Sequence, residues 1–272
     1  MIRPGLNAVT VRWTVDLHGS DQINGNVTDG LWTADLGGDR AVFTRTQPAS
    51  QAGAYTLVLL GSPGSAFAPG GDSYGTVVVD ALGNVKLKAY LADQSTIATK
   101  AFLSKHGHWP LYAPLYGGQG AILGWINFAD QPTTDFSGVV NWTKPAMPTS
   151  HYYPGGFTIE AALLGSGYTR PPDHVTPILD VGSALLTLTG GNMAQPEVDN
   201  LTLGLDSKVS NLGPDDVTMV FNLSSGLFTG HCSPPSGGAG VNFKGVVLQK
   251  ANNASGHFLG TNQSGQVTFV EH

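Results

Sequence analysis

The chain has 272 residues, enough for one large or two modest domains, with a formal charge of −6, a pI of about 5.6 and only 12 % charged residues. No basic run is present, which excludes a phosphate-tracking nucleic-acid surface, and no stretch approaches the roughly 20 apolar residues of a membrane-spanning helix. With 37 glycines, 17 prolines and only three glutamates (Glu160, Glu197 and Glu271), the chain lacks the Glu/Lys faces of amphipathic helices and suits β-strands joined by turns. Its single cysteine, Cys232, rules out an internal disulfide and a zinc site built on several thiolates.

Period-two alternation marks the strands in chain order. Residues 9–17 form the first, so folded structure begins close to residue 1, and residues 1–5 lack the basic start and apolar block of a signal peptide. Residues 54–60 follow, with Tyr55, Leu57 and Leu59 on one side. Residues 75–80 and 85–91 make a hairpin around Gly83-Asn84, both tolerant of positive φ. Residues 109–116 and 121–128 make a second, across Gly117-Gly118-Gln119-Gly120, and 137–143 adds a strand. Pro145, Pro148, Pro154, Pro171, Pro172 and Pro177 then interrupt the ladder, because proline lacks the N–H donor, although 157–164 keeps strand character. Strands resume at 185–189, 200–205, 217–222, 226–232, 241–249, 257–260 and 266–270. The glycine pairs Gly70-Gly71, Gly117-Gly118, Gly190-Gly191 and Gly237-Gly238 read as turns.

The fold expected is all-β: two related antiparallel β-barrel or β-sandwich units in tandem, 1–144 and 177–272, joined by a Pro-rich segment, 145–176. An internal repeat supports the relation. Residues 78–85 resemble 220–227, and Gly107-His108-Trp109 after Leu103-Ser104-Lys105 parallels Gly256-His257-Phe258 after Leu248-Gln249-Lys250.

The run 71–80 (Gly-Asp-Ser-Tyr-Gly-Thr-Val-Val-Val-Asp), together with Trp109-Pro110-Leu111-Tyr112, the run 243–249 and Gly260-Thr261-Asn262-Gln263-Ser264-Gly265, resembles a β-rich module of large secreted or cell-surface bacterial proteins. The resemblance covers most of the chain. It implies a setting outside the cytoplasm, extracellular or in the cell envelope, and neighbouring domains of a longer chain. It brings no established activity and no catalytic residues.

Chemistry concentrates between residues 105 and 153. His106 and His108, two apart in a strand, face one side and could share a metal, but no third ligand follows; two solvent-facing histidines at a strand entry is the plainer reading. The aromatics are the stronger signal. Trp109, Tyr112, Tyr116, Tyr152 and Tyr153, with Asn127 nearby, suit a polysaccharide or surface glycan, whose C–H faces pack on aromatic rings while its hydroxyls need polar partners. Trp109, Trp125 and Trp142 are each weighed as core residues first. Tyr152-Tyr153 is expected to be exposed, because Pro154-Gly155-Gly156 forces a turn. Asp130 and Asp135 could form the carboxyl pair of a polysaccharide hydrolase. Asp72 and Asp93 sit beside turns, where Asp caps backbone N–H groups. Cys232 is expected to be buried, with His231 on the opposite face of its strand. The leading function is a non-catalytic glycan-binding module. The alternatives are a hydrolase using the Asp pair and a structural or adhesive spacer. No cofactor is expected, apart from a loop Ca2+ held by carbonyls and isolated Asp, which the composition allows.

Overall fold

The computed structural model describes residues 5–173, 175–213, 215–233 and 240–272. Gly237-Gly238, expected to be a turn, lies outside the described residues. The structure is nearly all β, with three antiparallel sheets. The first is a three-stranded meander of β1 (Thr10–Val15), β2 (Gln22–Thr28) and β3 (Thr33–Asp39).

The second sheet holds eight strands: β4 (Gly53–Leu59), β5 (Ser73–Val79), β6 (Asn84–Tyr90), β7 (Thr96–Phe102), β8 (His108–Leu115), β9 (Gly120–Phe128), β10 (Phe136–Lys144) and β11 (Phe157–Gly167). It runs up and down, and its first and last strands pair, Leu59 facing Leu163 and Tyr55 facing Gly167. The third sheet repeats the plan with β12 (Ser183–Gly190), β13 (Glu197–Leu203), β14 (Val209–Asn211), β15 (Asp216–Asn222), β16 (Leu227–Ser233), β17 (Val241–Leu248), β18 (Asn253–Leu259) and β19 (Ser264–Glu271), with β12 pairing with β19. The second and third sheets are thus each a nearly closed eight-stranded barrel. β11 lies inside the Pro-rich stretch 145–176 and completes the first barrel. The repeated sequence segments fall on β5–β6 and β15–β16, and on β8 and β18, so they sit two strands apart in the two barrels.

The first barrel opens between β7 and β8, and the sequence of β8 explains why. Thr99 Oγ1 of β7 donates to the Tyr112 carbonyl at 3.1 Å, so Tyr112 turns its backbone polar groups toward β7. Residues two apart in a strand point their polar groups the same way. Pro110 and Pro114 therefore face β7 as well, and neither has an N–H to give. At the β5–β6 turn, Gly83 alone takes positive φ, +74°, while Asn84 already belongs to β6.

Each barrel fills its interior from alternate residues. Trp109, Trp142, Phe136, Ile122 and Ile126 pack inside the first; Phe228, Phe243, Phe258, Phe269 and Leu186 pack inside the second. β4 breaks the alternation, because Thr56 and Val58 are buried as well as Leu57 and Leu59. Its outer face is covered by the second barrel. Val58 and Tyr74 meet Val246 and Leu248 there. Thr56 Oγ1 donates to the Val247 carbonyl at 2.6 Å, and the Asp72 amide donates to the Gly256 carbonyl at 3.1 Å. Gly71 passes so close to β19 that a Cβ would lie 2.3 Å from the Gly265 carbonyl oxygen, so any larger residue would push the barrels apart. Much of the sequence that carries the resemblance, Gly71-Asp72, 243–249 and 260–265, lies along this seam.

Candidate functional site

Strand parity separates the aromatics of residues 105–153. On β8, Trp109, Leu111, Ala113 and Leu115 point inward, leaving His108, Pro110, Tyr112 and Pro114 outside. Trp109 is therefore a core residue, edge-on to Phe136, and contributes nothing to a surface. Tyr112 is 59 % exposed. On β9, Ile122 and Ile126 point inward, so Trp125 and Asn127 point outward, opposite Pro110 and His108. Trp125 is 52 % exposed, against the core role first weighed for it, whereas Trp142 is buried. Leu123 and Val139 are exposed on the same side, Val139 directly across from Trp125. The outer face of β8–β10 thus carries Tyr112, Leu123, Trp125 and Val139 on a rigid sheet.

The remaining sequence candidates are engaged in structure. Tyr116 donates its hydroxyl proton to Asp93 at 2.6 Å and accepts from Trp142 Nε1 at 3.0 Å; burial, then the Asp93 charge, pushes the phenol far above its ordinary pKa. Asp93 also caps the Ser95 amide at 3.0 Å and pairs with the buried Lys144 at 3.2 Å. Tyr152 and Tyr153 are buried, contrary to expectation. The turn is present, Tyr153 having φ +51°, but it folds both rings against the second barrel. Tyr152 donates to the Gly260 carbonyl at 3.1 Å, and the Tyr153 hydroxyl lies 2.9 Å from Ser264 Oγ. Asp130 and Asp135 both pair with Lys250 Nζ, the latter at 2.8 Å, so one ammonium accounts for both carboxylates and clips the barrels together. The His106 and His108 rings lie 6.0 Å apart, and His108 Nδ1 is 3.5 Å from Asp39 Oδ2. His231 contacts Asn242 and Ser233, while Cys232 on the opposite face is buried.

Two hollows bring polar groups and aromatic rings together. The first, 340 Å3, lies where the three-stranded meander meets the first barrel, lined by Gln22, Asn24, Gly37, Gly38, Asp39, His108 and Trp125. Lys105 Nζ pins the meander there through Asp21 Oδ2 at 2.6 Å and the Gly19 carbonyl at 2.9 Å. Gln22 Nε2 donates to Asp39 Oδ1 at 3.1 Å, which orients the carboxylate beside His108. Gly37 leaves open space where a side chain would stand. An apolar ring face, a carboxylate, two amides and an imidazole suit a small polyhydroxylated group.

The second hollow, 440 Å3, follows the seam and includes Tyr74, Tyr90, Gln94, Ser95, Asn242, Lys244 and His257. Tyr74 and Tyr90 stack at 5.3 Å, with Lys88 Nζ 5.5 Å from the Tyr90 ring. His257 Nδ1 lies 2.9 Å from the Asp72 carbonyl, which can only accept, so the neutral ring carries its proton on Nδ1. Burial lowers the His257 pKa to about 4, which keeps it neutral at pH 7.

Sequence reasoning counted Trp125 among the aromatics of this region but ranked it as core first, although Ile122 and Ile126 define an inward parity that excludes it. Gln22, Asn24 and Asp39 carried no signal, because β2 and β3 bury neither face well.

No family model matches the chain, and no curated protein matches it. Among solved structures, a double mutant of transferrin binding protein B (TbpB) from Haemophilus parasuis Hp5 aligns at 10 % identity over 99 % of this chain and 66 % of its own, with a TM-score of 0.29. An endo-1,5-alpha-L-arabinanase from Thermotoga petrophila RKU-1 aligns at 9 % identity over 96 % of this chain and 66 % of its own, with a TM-score of 0.26. A protein of unknown function from the DUF3598 family of Nostoc punctiforme PCC 73102 aligns at 8 % identity over 82 % of this chain and 96 % of its own, with a TM-score of 0.23. This chain therefore spans less than two thirds of the first two.

Proposed function

We propose that the protein is a non-catalytic glycan-binding module of the cell surface or extracellular space, and that its platform is the outer face of β8 and β9. The observation that carries this reading is the outward Trp125, held on a paired strand and bordering a hollow whose other walls are Gln22, Asn24, Asp39 and His108. A sugar ring lying on the indole would bury its C–H face and leave hydroxyls within reach of those groups. Tyr112 extends the apolar strip along the same side. Low charge and a surface built on Thr, Asn and Ser fit an uncharged polymer as ligand. No helix among the described residues is long and apolar enough to cross a membrane. The hydrolytic alternative is less favoured, since Asp130 and Asp135 both pair with the Lys250 ammonium.

The test is a glycan array followed by affinity electrophoresis of the whole chain in gels containing each polysaccharide that scores. Trp125→Ala is expected to weaken binding roughly tenfold, about 1.4 kcal/mol, and Tyr112→Ala somewhat less. Wild-type mobility in the double variant, with unchanged circular dichroism, would sink the proposal, as would a wild-type chain that no polysaccharide retards.

A further inference from the structure

The open end of the second barrel holds a cluster that the glycan reading does not use. Asp199 on β13 and Cys232 on β16 both point into the barrel, and Asp215 immediately precedes β15, where the ladder between β14 and β15 is open. One ligand atom from each lies within 4.8 Å of the other two, and all three residues are buried. It is the single such set of three donors among the described residues. The Asp215 loop is held in place by Asn211, whose amide donates to the Asp215 carbonyl and whose Oδ1 accepts from the Gly213 amide at 2.8 Å.

Ordinary packing does not account for this arrangement. Asp199 is 1 % exposed, and its Oδ1 has no hydrogen-bond partner. The carboxyl's other contacts are the weak Cys232 thiol, 3.9 Å from Oδ2, and the neighbouring Asp215 carboxyl. The charges acting on Asp199 are Asp215 and Glu197, both of its own sign, and no described Lys, Arg or His neutralises it. An unpaired buried carboxylate is costly, and two beside each other more so. Burial and these neighbours push Asp199 up to about 6 and the Cys232 thiol up to about 12. A bound cation would remove both penalties at once.

We propose that Asp199, Asp215 and Cys232 form a binding site for a thiophilic divalent cation of the zinc type. One thiolate with two carboxylates is a borderline-soft donor set, which favours Zn2+ over Ca2+ or Mg2+, both of which take oxygen ligands. Binding would expel the Cys232 proton to solvent, and the three donors, already within 4.8 Å of one another, would close on the ion. The fourth position is left for water. The ion would tie β13, β16 and the start of β15 together across the gap in the barrel, a structural role separate from the face at Trp125.

The experiment uses the whole chain, stripped with EDTA and kept reduced, then titrated with Co2+ and with Zn2+. Since Cys232 is the only cysteine, any thiolate-to-cobalt charge-transfer band in the near ultraviolet belongs to it. The expected result is such a band, saturating at one equivalent and displaced by Zn2+, with a rise in the melting temperature on Zn2+ addition. Cys232→Ser should abolish the band, and Asp199→Asn should weaken Zn2+ at least tenfold. Absence of the band in the wild-type chain at millimolar Co2+ would overturn the site whether or not the variants fold. It would leave a proton shared by Asp199 and Asp215 as the occupant of the cluster. A melting-temperature rise that persists in Cys232→Ser would assign the metal to surface histidines and equally overturn it.

Discussion

Replacing Asp72 with alanine should uncouple the two barrels. Asp72 belongs to the first barrel, yet its carboxylate accepts from Ser255 Oγ and from Gln266 Nε2 at 3.1 Å in the second, and from the Gly61 amide at 2.8 Å. Hydrogen bonds to a charged group contribute about 1.5–3 kcal/mol each. The sum is not the expected loss. Ser255 can turn to the Val267 carbonyl at 3.2 Å, and Gln266 is only partly buried, so neither is stranded. The variant also relieves the desolvation that raises the Asp72 pKa. A net cost of about 2–3 kcal/mol remains, most of it at the Gly61 amide and the lost cross-seam charge contacts.

The tryptophans allow the effect to be localised. All five, Trp13, Trp32, Trp109, Trp125 and Trp142, precede the second barrel, so fluorescence reports only the meander and the first barrel. Far-ultraviolet circular dichroism reports both barrels. In urea the wild-type chain should show coincident transitions by the two probes, the mark of one cooperative unit. In Asp72→Ala the midpoint should fall and the two transitions should separate. Asp72→Asn keeps an acceptor for Gly61 but turns an amide toward Gln266, and should lose about half as much. Curves for Asp72→Ala that superimpose on wild type within about 0.5 kcal/mol would refute the claim that this cluster holds the seam.

Two further outcomes test the buried charges. Lys144→Met leaves Asp93 buried without its counter-ion and should destabilise the first barrel by about 3–5 kcal/mol in the same fluorescence assay, with much of the loss recovered in Lys144→Met/Asp93→Asn; a single variant as stable as wild type would dismiss the pair. His257 has its folded pKa lowered to about 4 from 6.5, so between those values the unfolded chain binds the extra proton and stability falls as the pH falls, by roughly 3 kcal/mol at most. Asp72, Asp93 and Lys244 also bear on the ring, and Asp72, with a raised pKa, works in the opposite sense as it protonates. His257→Gln, which can still donate to the Asp72 carbonyl, should flatten the slope between pH 6.5 and 4; an unchanged slope would place the titration elsewhere.

Period-two alternation was enough to find most strands of both barrels, because strands with one face in a core must alternate. It failed at β2, β3, β7 and β14. β2 and β3 bury neither face well, β7 has only Ile97 fully buried, and β14 is three residues long. The prolines of β8 were visible from the start, and they set where the first barrel opens. Local turn chemistry was equally legible at Gly83 and at Asp93.

Tertiary structure alone decided which aromatics are available. Tyr152 and Tyr153 follow turn rules yet are buried, because the second barrel closes over them, and no local pattern encodes a neighbour more than a hundred residues away. The same holds for Asp130 and Asp135, which meet Lys250 only across the seam, and for Asp199, Asp215 and Cys232, which converge only when the second barrel forms. Composition and alternation determine strand number and parity, since these depend on neighbouring residues. Closure of each barrel and the docking of one against the other determine which side chains are left to act.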